Sequence, residues 1–273
     1  MLLNGTKTTM AKGESTEQFL KRLTHLTLTG RKLTAIDLVA KCPNIRVLYL
    51  YDIKITNVQP LAALQHLTHV HLQRNRLTKM EHLESLKHLE KLYLDNNEIG
   101  TLEGIDHCTA LQELHLANQT KLNHPFTFDH NSIAAIAPTL RVLNLSNCNI
   151  HDARPLQALR RLEQLDLSRN HISELEDVFG LVGSLHCLRE LDLTNNLVNA
   201  TPKYREHTIV FSQKTLEILD KKPIDSKQRS MMQSHIAFKH KKRQAAAASS
   251  QRSKPESECI LGVTGNNNWA LDE

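Results

Sequence analysis

Residues 89–99 read LEKLYLDNNEI, and the spacing of their apolar positions governs how the rest of the chain is read. Leu92 and Leu94 lie two residues apart, so on a strand both point to one face while Tyr93 points to the other. Asn97 and Ile99 follow at the point where the chain must turn. The template L-x-x-L-x-L-x-x-N-x-I/L, with any aliphatic residue accepted at the leucine sites, begins at Leu23, Ile45, Leu67, Leu89, Leu111, Leu140, Leu162 and Leu188. The intervals are 22, 22, 22, 22, 29, 22 and 26 residues.

This period is the signature of leucine-rich repeats, whose coils each supply one short strand and must stack to bury their apolar sides. The predicted fold is an α/β solenoid: a leucine-rich-repeat horseshoe with a parallel concave sheet, helical N- and C-terminal caps, and a basic tail that is disordered or helical. The expected divisions are a flexible N-terminus over 1–14, an N-cap and eight repeats over 15–200, a C-terminal cap over 201–225, and a basic low-complexity tail over 226–273. Ser15 and Gln18 have capping-box spacing, which predicts a short helix from about Thr16 that lays Phe19 and Leu20 over the first coil. The segment 201–220 breaks the repeat and takes helical spacing, with Tyr204, Ile209 and Phe211 expected to pack near Leu216 and Leu219.

Once per coil, a short amide side chain at the asparagine position can satisfy backbone groups at the bend. Asn75, Asn97, Asn170 and Asn196 occupy that slot, whereas Arg31, Ile53, Gln119 and Cys148 do not. The first, second, fifth and sixth turns are therefore expected to be looser or differently bonded. Stretches such as residues 80–89 suit a single helical or 3₁₀ turn. The oversized fifth coil carries Phe126 and Phe128, which are expected to tuck against its neighbours.

Composition narrows the function. The chain is 273 residues long, 40% hydrophobic and only 4% aromatic, with 44 leucines and a net charge of +5. Residues 1–220 balance to zero charge, residues 221–254 carry +9, and the last nineteen carry −4. No apolar run reaches the ~18 residues of a membrane span, and the first residues lack the apolar core of a signal peptide; the chain reads as intracellular. The five cysteines are scattered and never spaced C-x-x-C, which indicates neither a disulfide framework nor a zinc site. No G-x-S-x-G, phosphate loop or H-E-x-x-H sequence is present, so no enzymatic activity, cofactor, metal or small-molecule substrate is expected.

The outward strand positions carry the functional signal. One residue before the second strand leucine, the coils read Thr27, Tyr49, His71, Tyr93, His115, Asn144, Asp166 and Asp192. Two residues later they read Thr29, Tyr51, Gln73, Asp95, Ala117, Ser146, Ser168 and Thr194. Strands roughly 4.8 Å apart make Tyr49, His71, Tyr93 and His115 a continuous ridge that gives way to acidic residues. Tyrosine suits strands in any case; its concentration in one register, with Asp52 and Arg74 alongside, favours a face that binds a protein. Tyr49, Tyr51 and Tyr93 would anchor the partner, with Asp95, Asp166 and Asp192 adding specificity. Because histidine titrates near neutrality, binding through His71 and His115 is expected to respond to pH.

The 22-residue period and the I/L-x-x-I/V/L-x-x-L-x-x-L run after each asparagine resemble the SDS22-like class of leucine-rich repeats. The stretches VLYLYD (47–52), LTHVHLQRNRL (67–77), the long fifth coil and 202–224 strengthen that resemblance. It implies a protein that associates with the catalytic subunit of protein phosphatase 1, or with tubulin, dynein components or other cytoskeletal proteins at the centrosome. HTIVF (207–211) loosely resembles the extended docking sequence of that phosphatase's partners, but is expected to be buried in the cap. The tail cluster Lys239, Lys241, Lys242 and Arg243 is open to three readings: solvated charge, contact with an acidic partner such as a tubulin tail, or nuclear import or nucleic-acid contact. The absence of interleaved aromatics weighs against nucleic acid.

Overall fold

A computed structural model describes residues 8–29, 36–119, 123–235 and 238–239. The described residues as far as Arg229 form one compact unit, and those from Ser230 belong to a second. The first opens with α1 (Thr16–Arg22), where Ser15 Oγ accepts from the Gln18 N–H and the Gln18 side chain accepts from the Ser15 N–H. Phe19 and Leu20 are its buried residues, as the capping box predicts.

Nine strands then run parallel through the repeats and into the cap. They are β1 (His25–Thr27), β2 (Val47–Tyr49), β3 (His69–His71), β4 (Lys91–Tyr93), β6 (Glu113–His115), β8 (Val142–Asn144), β9 (Gln164–Asp166), β10 (Glu190–Asp192) and β11 (Ile218–Leu219). The last two residues of the sheet, β12 (Lys222–Pro223), pair with β11 antiparallel. Register is constant: Tyr49 pairs with His71, His71 with Tyr93, Tyr93 with His115, and His115 with Asn144. One strand per coil forces this order, because each chain return deposits the next strand beside the last. Leu48, Val70, Leu92, Leu114, Leu143, Leu165 and Leu191 point from these strands into the coils and are buried.

Behind the strands the chain returns through short 3₁₀ turns at Asp37–Lys41, Gln59–Ala63 and Arg154–Ala158; residues 80–89, expected to form a helical or 3₁₀ turn, hold only simple turns and bends. The oversized fifth coil departs from that economy. Its extra residues form β7 (Thr127–Phe128), paired parallel with β5 (Thr101–Leu102), and α2 (His130–Ile136), whose N-terminus Asp129 caps. Phe126 is buried and meets Phe128 edge-on, so the insertion folds inward as expected. The long interval before the eighth coil holds a full helix, α3 (Leu175–Ser184).

The asparagine slot explains how the coils are joined. Asn75, Asn97, Asn170 and Asn196 each accept from a backbone N–H of the preceding coil and donate to two leucine carbonyls just past the strands of adjacent coils. Gln119 corrects the expectation for the fifth turn: its longer side chain accepts from Ile99 N–H at 2.9 Å and donates to the carbonyls of Leu94 and Leu116 at 3.0 and 3.1 Å. One extra methylene changes the reach but not the bonding. The sixth turn is bonded differently, through the Cys148 thiol, which lies 3.0 Å from the Leu116 carbonyl. Burial pushes that thiol up to about 12, so it remains a donor. Ile53 is buried and brings no polar side chain to the second turn; Arg31 lies outside the described residues.

The cap is α4 (Tyr204–Phe211), in which Tyr204 and Ile209 are buried. Phe211 is not buried as expected; it remains 37% exposed and stacks on Phe179 of α3. HTIVF thus lies in a helix, withdrawn from the extended form that strand addition requires. Arg229 reaches back to the cap, donating to Ser212 Oγ and to the carbonyls of Gln213 and Leu216. Residues 226–235 are helical. Among the described residues, no helix is long and apolar enough to cross a membrane.

Candidate protein-binding face

The constant register stacks equivalent side chains, and at one slot those side chains are rings. Tyr49 and His71 lie with centroids 4.4 Å apart, His71 and Tyr93 4.4 Å, and Tyr93 and His115 4.8 Å, all near parallel. The expected ridge is therefore a single stack along β2, β3, β4 and β6. Each inner ring has both faces covered by its neighbours. What the stack offers outward is ring edges, which carry the positive rim of the aromatic quadrupole.

The stack has its own electrostatics. Tyr93 Oη donates to Glu113 Oε2 at 3.0 Å, and Lys91 Nζ lies 2.7 Å from Glu113 Oε1. Burial, then the bond to Glu113, raises Tyr93 to about 12, so its hydroxyl stays protonated. For Glu113, burial is the largest influence and acts upward; the bonds from Lys91 and Tyr93 together outweigh it and keep the carboxyl below its ordinary range.

His71 corrects the pH expectation for its position. Burial between two rings, reinforced by the charges of His69 and His115, lowers it to about 4. It is neutral at physiological pH and cannot serve there as a switch. Gln73 Nε2 lies 3.4 Å from His71 Nδ1.

The acidic positions are more committed than their sequence suggests. Asp95 Oδ1 accepts from Ala117 N–H at 2.8 Å, and burial pushes its carboxyl upward. Asp166 and Asp192 each accept from the backbone two residues on, at Ser168 and Thr194. Asp192 is only 9% exposed, with Oδ2 3.2 Å from Lys221 Nζ. Tyr51, by contrast, is 41% exposed, and Asp52 and Arg74 beside it are exposed as well. In the tail, Lys239 is described and exposed, while Lys241, Lys242 and Arg243 lie outside the described residues. Among the described residues, no group of three or more His, Cys, Asp or Glu is placed to hold a metal ion.

What sequence reasoning missed is the committed state of these groups: the bonds from Lys91 and Tyr93 to Glu113 tie the fourth coil to the fifth through slots that the ridge alone did not connect. The signal was present in the opposite charges of Lys91 and Glu113, at equivalent positions of adjacent strands.

Comparison with known proteins gives the same architecture. A family model described as Leucine Rich repeats (2 copies) matches residues 65–107 and 138–180. An internalin (inlF) from Listeria monocytogenes superposes with a TM-score of 0.63 at 22% identity, over 78% of this chain and 59% of that one. This chain therefore spans less than two thirds of that internalin. Internalin C2 (inlC2) of the same organism superposes with a TM-score of 0.54 at 25% identity, over 67% of this chain and 76% of that one. Repeat, register and structural likeness agree that the chain folds as a leucine-rich-repeat solenoid.

Proposed function

We propose that the chain is a non-enzymatic scaffold that binds a protein through its concave face, with the catalytic subunit of protein phosphatase 1 as partner. The observation that carries this reading is the four-ring stack on an open sheet face, with exposed Tyr51 beside it. Aromatic side chains already locked by packing lose little freedom on association, which is where interface affinity comes from. The choice of phosphatase rests on the resemblance to SDS22-like repeats and, more narrowly, to protein phosphatase 1 regulatory subunit 42. Asp52, Arg74, Asp95, Asp166 and Asp192 would supply the polar contacts. The protein would work in the cytoplasm, at the centrosome or on microtubules, with a nuclear pool if the tail directs import.

A second reading is a cytoskeletal adaptor for tubulin or dynein components. It is favoured by the concentration of positive charge in residues 221–254. Pull-down of purified phosphatase catalytic subunit and of tubulin separates the two. Wild type should capture phosphatase; Tyr49→Ala/Tyr93→Ala should lose it, and Tyr49→Phe/Tyr93→Phe, which keeps the stack, should retain most of it. Unchanged capture by the alanine variant sinks the concave-face reading. Tubulin capture that is lost only when Lys239, Lys241, Lys242 and Arg243 are replaced by alanine establishes the adaptor.

A further inference from the structure

We infer that the turn edge of the second and third coils, built from Tyr51, Lys54, Arg74 and Arg76, is a docking site for a short acidic peptide segment. The inference deepens the proposed concave-face reading and rests on it for location.

Three observations carry it. The first concerns aromatic faces. Tyr49, His71 and Tyr93 are covered by one another, so the ridge has no inner ring face left to give. Tyr51 projects two residues further along β2's extension, is 41% exposed, and stacks on no other ring among the described residues. Tyr49, at the end of the stack, is covered by a ring on one face only, but Tyr51 is the tyrosine of the concave face that is exposed.

The second concerns charge. Lys54, Arg74 and Arg76 are exposed and form no ion pair among the described residues. They share neighbouring coils, since Asp52 N–H donates to Gln73 O at 3.0 Å and Arg76 N–H to Ile55 O at 2.9 Å. Asp52 is the single carboxylate on this edge of the two coils. Arg141 and Arg154, by contrast, are held by Glu163 and Asp152. Unpaired cations beside an exposed tyrosine complement a segment of carboxylates, and Tyr and Arg are the residue types that dominate interface energetics.

The third concerns backbone. Arg74 has φ of 56° and Lys54 φ of 62°, in the left-handed region that disfavours side chains other than asparagine and glycine. At Arg74's slot the fourth, fifth, sixth and eighth coils carry asparagine: Asn96, Asn118, Asn147 and Asn195. At Lys54's slot the sixth coil carries Asn149. The seventh coil also places a long cation, Arg169, in this conformation, but among the described residues only the second and third coils set such cations beside an exposed tyrosine, Tyr51.

The test uses the full chain and two labelled peptides, one of alternating glutamate and glycine, the other of glutamine and glycine. Fluorescence anisotropy should show binding of the glutamate peptide alone, weakening as salt is raised. Arg74→Asn/Arg76→Gln should weaken it roughly tenfold or more. Arg74→Asn alone should at the same time raise the melting temperature, because asparagine tolerates the left-handed backbone; loss of binding then cannot be misfolding. Tyr51→Ala should weaken binding without affecting melting. Equal binding of the two peptides overturns the inference. So does loss of binding only when the four tail cations are replaced. Phosphatase capture that survives Arg74→Asn/Arg76→Gln overturns this site but leaves the concave-face reading standing. Peptide binding that depends on Arg74 and Arg76, without phosphatase capture, does the reverse.

Discussion

His71 and Tyr93 lie ring upon ring, with centroids 4.4 Å apart and planes 7° from parallel, and Tyr49 covers the other face of the same imidazole. His71 is therefore the centre of the stack rather than a member of its rim. His71→Ala should cost about 1–3 kcal/mol of stability, the sum of two aromatic contacts, whereas His71→Phe should restore most of it. Urea unfolding followed by circular dichroism compares the three proteins.

The same enclosure sets a pH dependence. His71 falls to about 4 in the fold from an ordinary value of 6.5, so between those values the unfolded chain binds the proton and the folded chain does not. Stability from this group is fully present above pH 6.5 and is lost as pH falls toward 4. The gap in stability between wild type and His71→Phe should therefore widen, to the disadvantage of wild type, across that window. A gap that stays constant from pH 7 to about 4 contradicts the buried neutral imidazole.

Asn97 satisfies three backbone groups with one side chain, Leu77 N–H and the carbonyls of Leu72 and Leu94. Asn97→Ala leaves all three unpaired in the interior and should destabilise by about 2–4 kcal/mol. Gln119→Ala should cost a similar amount, since it performs the same task by a longer arm. Hydrogen exchange at the Leu77 and Ile99 amides localises each loss.

Gly104 has φ of +72°, and a Cβ there would fall 1.8 Å from the Met80 carbonyl oxygen. Backbone, not a side chain, would have to give way. Gly104→Ala should destabilise by roughly 3 kcal/mol or more, visible as a lowered thermal midpoint, whereas Gly183→Ala, which meets nothing within 4 Å, should leave it nearly unchanged.

Arg229 is 7% exposed and donates to two carbonyls and a hydroxyl of the cap. Arg229→Ala should cost about 2–4 kcal/mol, and limited proteolysis should then cut first between α4 and β11. A chain ended at Asp225 should be as weakened as the point variant; one ended shortly after Arg229 should not.

Much of this was legible because a period of 22 residues repeats one decision many times. Leu92 and Leu94 set the strand, Asn97 the bend, and Ser15 with Gln18 the helical start. The ring stack followed from register alone. The features that were not legible depend on contacts between distant residues. Gln119 looked like a broken slot because its type differs, although its reach suffices. Phe211 shows helical spacing but meets Phe179, whose ten-residue helix fills an interval only four residues longer than the period. His71's neutrality is a property of its two neighbours, and no local pattern encodes it. Arg229 lies in a basic stretch whose composition conceals one buried guanidinium.

The short strand β12 has a consequence for how the molecule behaves in a crowd. A stack of parallel strands is open-ended by construction, and its last edge presents unpaired amides on which another chain can assemble. Here the final strand turns back antiparallel and is only two residues long, and Pro223 brings no N–H to that margin. The sheet stops at a short margin that offers an incoming strand one amide donor fewer, which disfavours growth of the sheet from that end.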